Sequence, residues 1–169
     1  CIFINKIVSD KDGNIWVLYF ENGIDKITPD GKITRIDISK SIGNIIPNYM
    51  IIDSDNMIWA GFRGGVLRLD PKTGTCLSIK FSKTNDSEVM SMTSDGKNVW
   101  LTITDGDVWV VNNSTYEPTR LNIPQRQYST LYFNDKTGSV YIGSVDGFLT
   151  ASTSIINYKL PNKIPVITE

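Results

Sequence analysis

The stretch DGNIWV at 12–17 decides the fold, because it returns as DNMIWA at 55–60, GKNVWL at 96–101 and TGSVYI at 137–142. Its aromatic, Trp16, recurs as Trp59, Trp100 and Tyr141 at intervals of 43, 41 and 41 residues. A fixed period of that size marks a repeat array. Working outward, each copy has an apolar segment before the aromatic and short, turn-bounded segments after it. Copy one reads IFINKIV (2–8), IWVLYF (15–20), IDKIT (24–28) and ITRIDI (33–38). Copy two reads MIID (50–53), MIWAGF (57–62), VLRLD (66–70) and TCLSIKF (75–81). Copy three gives VMSMT (89–93), NVWLTI (98–103), DVWVVN (107–112) and YEPTRLNI (116–123). Copy four gives TLYF (130–133), SVYIGS (139–144), FLTAS (148–152) and IINYKL (155–160).

These segments are short, rich in Val, Ile, Thr and aromatics, and bounded by Gly, Asp, Asn or Pro, which is the strand signature. No stretch keeps helical spacing long enough to predict a helix, so the chain reads as all-β. The second segment of each copy is nearly continuous apolar, so both of its faces are expected to be buried. Four antiparallel strands per repeat, covered on both faces by neighbouring repeats, describe a β-propeller blade. A β-sandwich or closed barrel of about sixteen strands is the competing architecture, but neither places the same Trp at one register in every copy. The expectation is a partial β-propeller over 1–160, with blades at 1–38, 46–81, 88–123 and 129–160, and an exit linker at 161–169.

Composition excludes several classes. The chain is 40% hydrophobic and 21% charged with a formal net charge of -1. Its length and apolar fraction suit one soluble domain, and its interspersed charges give no basic field for nucleic acid. No apolar run approaches the roughly 18 residues of a membrane span. The start, CIFINKIVSD, reads straight into a strand rather than as a signal peptide, and the chain is expected to be an excised part of a longer protein. Cys1 and Cys76 fall on opposite edges of different blades and are read as unpaired thiols.

Catalytic constellations are sparse. The chain has no histidine, so neither a Ser-His-Asp or Cys-His nucleophile nor a His-ligated metal site can be built from it alone. No phosphate-binding glycine motif occurs, and no cofactor is expected. Asp10, Asp12 and Asn14 faintly resemble a calcium loop but lack its spacing and closing glutamate. Equivalent turns at 53–56, 94–97 and 134–138 favour a structural turn in which Asp and Asn bond their own backbone and Gly13 takes positive φ. Asp105, Asp107 and Asp146 likewise read as turn formers beside glycine rather than as a general acid and base.

The run DNMIWAGFRGGVLRLDPKTGTC at 55–76 resembles the two-component regulator propeller repeat. The match falls on Asp55, Ile58, Trp59, Gly61, Gly64, Gly65, Leu67, Arg68, Asp70, Pro71 and Gly74. Blade one keeps Asp12, Gly13, Ile15, Trp16 and Gly23; blade three keeps Trp100 and Gly106 but has Asp107 where a glycine or aliphatic is usual. Blade four has Tyr141 in place of Trp and keeps Gly143 and Gly147. The resemblance implies a periplasmic sensor segment of a bacterial hybrid two-component histidine kinase, in which many members detect polysaccharide fragments. It also implies that these are the last four blades of a larger propeller, with NYKLPNKIPVITE (157–169) leading to an immunoglobulin-like domain. A non-catalytic structural or protein-interaction propeller is the alternative. A third class is an enzyme similar to propeller lyases of antibiotics, which rely on histidine.

In a propeller, the links from one blade's outer strand to the next blade's inner strand share a face with the turns between second and third strands. The links here are 39–49, 82–88 and 124–129, and the turns are 20–22, 63–65, 104–106 and 145–147. Aromatic faces and polar groups that read hydroxyls hold glycans, which makes Asn48, Tyr49, Arg63, Asn85, Arg126, Gln127 and Tyr128 the candidate ligand residues. Arg68 is expected to pack its stem between blades and pair with a turn carboxylate. Unpartnered faces on blades one and four predict self-association or closure into a strained four-bladed ring.

Overall fold

The computed structural model describes residues 3–20, 23–81, 87–124 and 126–152. Blade one contains β1 (Ile4–Ser9), β2 (Ile15–Tyr19), β3 (Gly23–Ile27) and β4 (Ile33–Ile36). A helical turn, α1 (Ser39–Ile42), precedes blade two: β5 (Pro47–Ile52), β6 (Ile58–Phe62), β7 (Gly65–Leu69) and β8 (Cys76–Lys80). Blade three is β9 (Val89–Ser94), β10 (Asn98–Ile103), β11 (Val108–Asn112) and β12 (Pro118–Arg120). Blade four shows β13 (Tyr128–Asn134), β14 (Ser139–Ser144) and β15 (Gly147–Ser152); its expected fourth strand at 155–160 and the exit segment lie outside the described residues. Each blade is an antiparallel meander in chain order, with its strand ladders confined to itself, so the protein is a β-propeller segment rather than a sandwich or barrel.

The core lies between blades. Trp16, Leu18 and Ile24 of blade one pack on Met50, Ile58, Ala60, Phe62, Leu67 and Leu69 of blade two. Trp59 and Val66 meet Val89, Val99 and Leu101 of blade three, and Trp100 meets Leu131, Val140 and Ile142 of blade four. In blades one to three the repeat aromatic faces the following blade, and in blades two to four its immediate neighbours face the preceding one. That alternation explains the continuous apolar second strand. Trp16, Trp59 and Trp100 are each 0% exposed. Full burial of such a ring contributes about 4–6 kcal/mol as an upper estimate.

An indole N–H cannot enter that core without an acceptor. Trp16 Nε1 donates to Asp10 Oδ2 at 2.8 Å, Trp59 Nε1 to Asp53 Oδ2 at 2.7 Å and Trp100 Nε1 to Asp95 Oδ2 at 2.8 Å. The other oxygen of each carboxylate closes the turn. Asp10 Oδ1 accepts the backbone N–H of Asp12 and Asn14, and Asp53 Oδ1 those of Asp55 and Met57. Asp95 Oδ1 does the same for Lys97 and Asn98. The expected structural turn is therefore present, with Gly13 at φ 79°, and among the described residues no acidic or thiol cluster could hold a metal.

Two expectations are corrected. The link before blade two is not wholly irregular, since Ile38 and Ile42, four residues apart, both insert into the first junction and stabilise α1. Among the described residues the segment does not close into a four-bladed ring: β1 packs beside β5, β5 beside β9 and β9 beside β13, while Ile7 and Tyr132 on the outer faces of blades one and four are 55% and 64% exposed. No helix among the described residues is long and apolar enough to cross a membrane. Cys76 is a free thiol whose pKa burial raises; Cys1 lies outside the described residues.

Burial raises the Asp10 carboxyl's pKa, but hydrogen bonds from Trp16, Asn14 and Asp12 together outweigh it and hold the group below its ordinary value. The folded pKa is depressed, so the stabilisation is present above the unfolded value of about 3.9 and is lost as pH falls through the folded one. Asp10→Asn, which leaves one acceptor oxygen for two jobs, is expected to lower unfolding free energy at pH 7 by about 1–3 kcal/mol. In urea titrations that deficit should shrink below about pH 4. Equal stability at pH 7 would show that the turn, without the carboxylate, suffices.

Candidate functional site

One face of the arc gathers the interblade links and the turns between second and third strands. Each first strand bends toward this face at a bulge: between Ile4 and Lys6, Pro47 and Tyr49, Val89 and Ser91, and Tyr128 and Thr130 the ladder shifts by one residue. Bulges re-aim side chains and end strand pairing. Here they leave Asn5, Asn48, Met90 and Ser129 at equivalent positions.

The links are tied to the turns. At the junction of blades two and three, Gly64 N–H donates to Ser87 O at 2.9 Å and Phe81 N–H to Gly64 O at 3.1 Å. Thr104 N–H donates to Glu88 O at 2.9 Å, and Glu88 N–H returns to Thr104 Oγ1 at 3.1 Å. Ser87 Oγ donates to Asp105. Arg63 pairs with Glu88 at 2.7 Å, and Asn48 Nδ2 donates to Val89 O at 2.6 Å. Asn48 Oδ1 is buried without a partner. Arg63 and Asn48 thus converge on adjacent residues at the start of blade three. Tyr49 is half-buried, packs on the second core cluster and carries the Lys6 ammonium 4.9 Å from its ring centre.

The next junction holds the other candidates. Arg126 pairs with Asp146 at 3.2 Å and Gln127 is exposed. A hydrogen bond from Ser144, with Arg126 adding to it, lowers the Asp146 pKa against the opposing effect of burial. Tyr128 is only 2% exposed and its hydroxyl donates to Pro124 O at 2.7 Å; burial, with nearby Asp146, raises its pKa. Asn48, Tyr49 and Tyr128 belong to first strands rather than to loops, because the bulge lets the strand run to the loop face. Asn85 lies outside the described residues. The sequence reading missed Ser87, Glu88 and the pairing role of Asp146, whose partners are distant in sequence. Asp107 pairs with Arg120 at 2.6 Å, so the acids of these turns serve structure. Arg68 packs between blades as expected, over the Tyr116 ring at 5.3 Å, and after the hydrogen bonds from Lys72 and Thr73 its charge helps to lower the pKa of the turn carboxylate Asp70.

The link 37–46 carries α1, and a cleft of about 470 Å³ opens beside it, lined by Arg35, Asp37, Ser39, Asn44, Ile46 and neighbouring residues. Charge pairs as exposed as Arg63–Glu88 are worth about 0–1 kcal/mol, so they orient the loops more than they stabilise the fold.

The fold and its loop face define a β-propeller segment. The chain is similar, at 35% identity and a TM-score of 0.80, to the extracellular domain of the hybrid two component system BT4673 from B. thetaiotaomicron, over 89% of this chain and 20% of that one. It is a propeller segment of the kind found in the extracellular domains of hybrid two-component systems, and it spans about 20% of that domain's length. The extracellular domain of the hybrid system BT3049 from the same organism matches at 18% identity, TM-score 0.65, over 89% of this chain and 20% of that one. A catalytically inactive virginiamycin B lyase from Staphylococcus aureus matches at 15% identity, TM-score 0.63, over 94% and 57%. These last two share the fold alone. No protein-family model and no curated protein matches the chain.

Gly106, in the turn between β10 and β11, has φ 80°, and a Cβ there would lie 2.2 Å from Arg126 O. Gly31 has φ 85° with nothing within 4 Å of such a Cβ. Both alanine variants meet the left-handed backbone cost of about 1–2 kcal/mol, but Gly106→Ala must also displace the link at Arg126. Thermal unfolding should therefore show a clearly larger loss for Gly106→Ala than for Gly31→Ala. Equal losses would mean that the link is not seated on the turn.

Proposed function

We propose that this chain is a ligand-sensing or signal-transmitting propeller segment in the periplasmic part of a hybrid two-component sensor, responding to glycans released from polysaccharides. The observation that carries the reading is the 35% identity to an extracellular domain of such a system across 89% of the chain, which supports an extracytoplasmic location. The loop face supports the ligand class: it offers amide, guanidinium and carboxylate groups suited to hydroxyls, held by links that the fold orients. The remaining blades and an immunoglobulin-like domain of the same protein are its expected partners. The exposed faces of blades one and four favour self-association when the segment is alone.

The reading is non-catalytic. The lyase likeness extends to the fold alone, this chain has no histidine, and the turn acids Asp105, Asp107 and Asp146 are engaged in hydrogen bonds and ion pairs. A structural or protein-interaction propeller is the second reading, favoured by the ion-paired state of Arg63 and Arg126. Calorimetric titration of the protein with a panel of plant, fungal and host oligosaccharides is expected to show saturable binding without change in the sugar by mass spectrometry. Silence across the panel would favour the interaction role, and turnover of a sugar would overturn the non-catalytic reading.

A further inference from the structure

We propose that the cleft beside α1, at the junction of blades one and two, is the glycan subsite of this segment and that it takes a short neutral oligosaccharide. This rests on the glycan-sensing reading and assigns it to residues other than those expected from the sequence. The link that forms the cleft breaks the repeat: 37–46 carries a helical turn, whereas the described residues of the link 121–127 carry none. Repetition builds the blades, so a non-repeated, concave, ordered segment is where a ligand-specific shape can reside.

The segment is pre-organised from beneath and from within. Ile38 and Ile42 are 6% and 7% exposed and sit in the first junction's core. The Asp37 carboxylate accepts Ser39 N–H at 3.0 Å and Ser39 Oγ–H at 2.6 Å, both through Oδ1. Those bonds from Ser39 lower the Asp37 pKa and leave Oδ2 to accept a ligand hydroxyl. Asn44 is exposed on the lining and supplies both an amide donor and a carbonyl acceptor. Ile46, 44% exposed, and Pro47 give an apolar wall for a sugar's C–H face. The volume, about 470 Å³, lies in the range of small-molecule sites, about 300–1,000 Å³.

Charge selects the class. Arg35 lines the cleft but is paired with the buried carboxylate of Asp25, its Nη2 lying 3.1 Å from Oδ2, and its guanidinium stands over the Tyr19 ring. Lys40 of α1 is near enough to act on Asp37 and offsets its charge, so among the described residues at the cleft no net positive charge is left to compensate the desolvation of a uronate or sulfate. A neutral polyol meets no such penalty.

The test is amide chemical-shift mapping by NMR on this 18.9 kDa chain, titrated to about 10 mM with xylo-, arabino-, galacto- and manno-oligosaccharides and with an oligogalacturonide. At least one neutral sugar is expected to shift amides within 36–46, and Asn44→Ala and Ile46→Asp, both at exposed positions, are each expected to weaken it about tenfold, or about 1.4 kcal/mol, with dispersion of the spectrum unchanged. Shifts confined to 63–64, 88 and 126–127 would overturn the cleft while leaving glycan sensing intact. Binding of the oligogalacturonide alone would overturn the neutral class. No shift with any sugar in a well-dispersed spectrum would overturn the cleft and the glycan reading together.

Discussion

A carboxylate that closes a turn with one oxygen and accepts an indole N–H with the other is the constraint on which the blades depend. Burying the Trp ring supplies several kcal/mol, but an orphaned indole N–H would return about 1–3 of them. Asp10, Asp53 and Asp95 remove that cost and at the same time fix where the ring points. Trp109, which stands outside the repeat register, shows the contrast: its buried indole N–H has no partner. Blade four shows the same logic by substitution. Where Trp becomes Tyr141, the turn residue becomes Asn134, which still accepts Lys136 N–H at 3.0 Å. Without an indole to satisfy, the second carboxylate oxygen has no task.

Because each ring is oriented toward the following blade, the stack has a direction. Its leading end presents Ile7, Ile15 and Ile33; its trailing end presents Tyr132, Tyr141 and Phe148, with ring centres 6.4 and 5.8 Å apart. Every internal junction sets an aromatic face against an aliphatic one, as Trp16 meets Ile58 and Ala60. The two ends are thus the unmatched halves of that same junction, and an arc of such blades extends only head to tail.

The architecture was legible because it repeats. Period, strand length and the doubly apolar second strand follow from backbone and burial rules that act within a few residues, and β14 (Ser139–Ser144) falls where the alternation puts it. The Asp–Trp bond was half legible. Asp10 reads as a turn former, since its contacts to Asp12 and Asn14 are local, but its bond to Trp16 depends on how the hairpin folds the ring back. The helical turn was hidden because two apolar residues four apart, Ile38 and Ile42, are too few to give a helical period. Tyr128 was misplaced for a related reason: Pro124 and Gln127 read as loop, while the bulge at Ser129 carries the strand further and buries the ring. The ion pairs of Arg63 and Arg126 join residues 25 and 20 positions apart, a separation at which single-sequence patterns carry no signal.

The division between the two faces of the arc follows from these scales. On the turn face, short-range carboxylate bonds repeat from blade to blade and neighbouring turns lock together, as Lys11 N–H does on Asn56 Oδ1 at 2.9 Å. A change there disturbs a blade and its junction at once. On the loop face, links of unequal length rest on the turns through backbone bonds and exposed ion pairs, each of small energy. Residues can vary there without loosening the core, and a ligand that bridges a link and a turn gains leverage over the relative position of two blades. The α1 link has both properties. Its apolar side is held in the core by Ile38 and Ile42, and its polar residues Asp37, Ser39 and Asn44 line the cleft, so a contact made there bears on a segment anchored in the first junction.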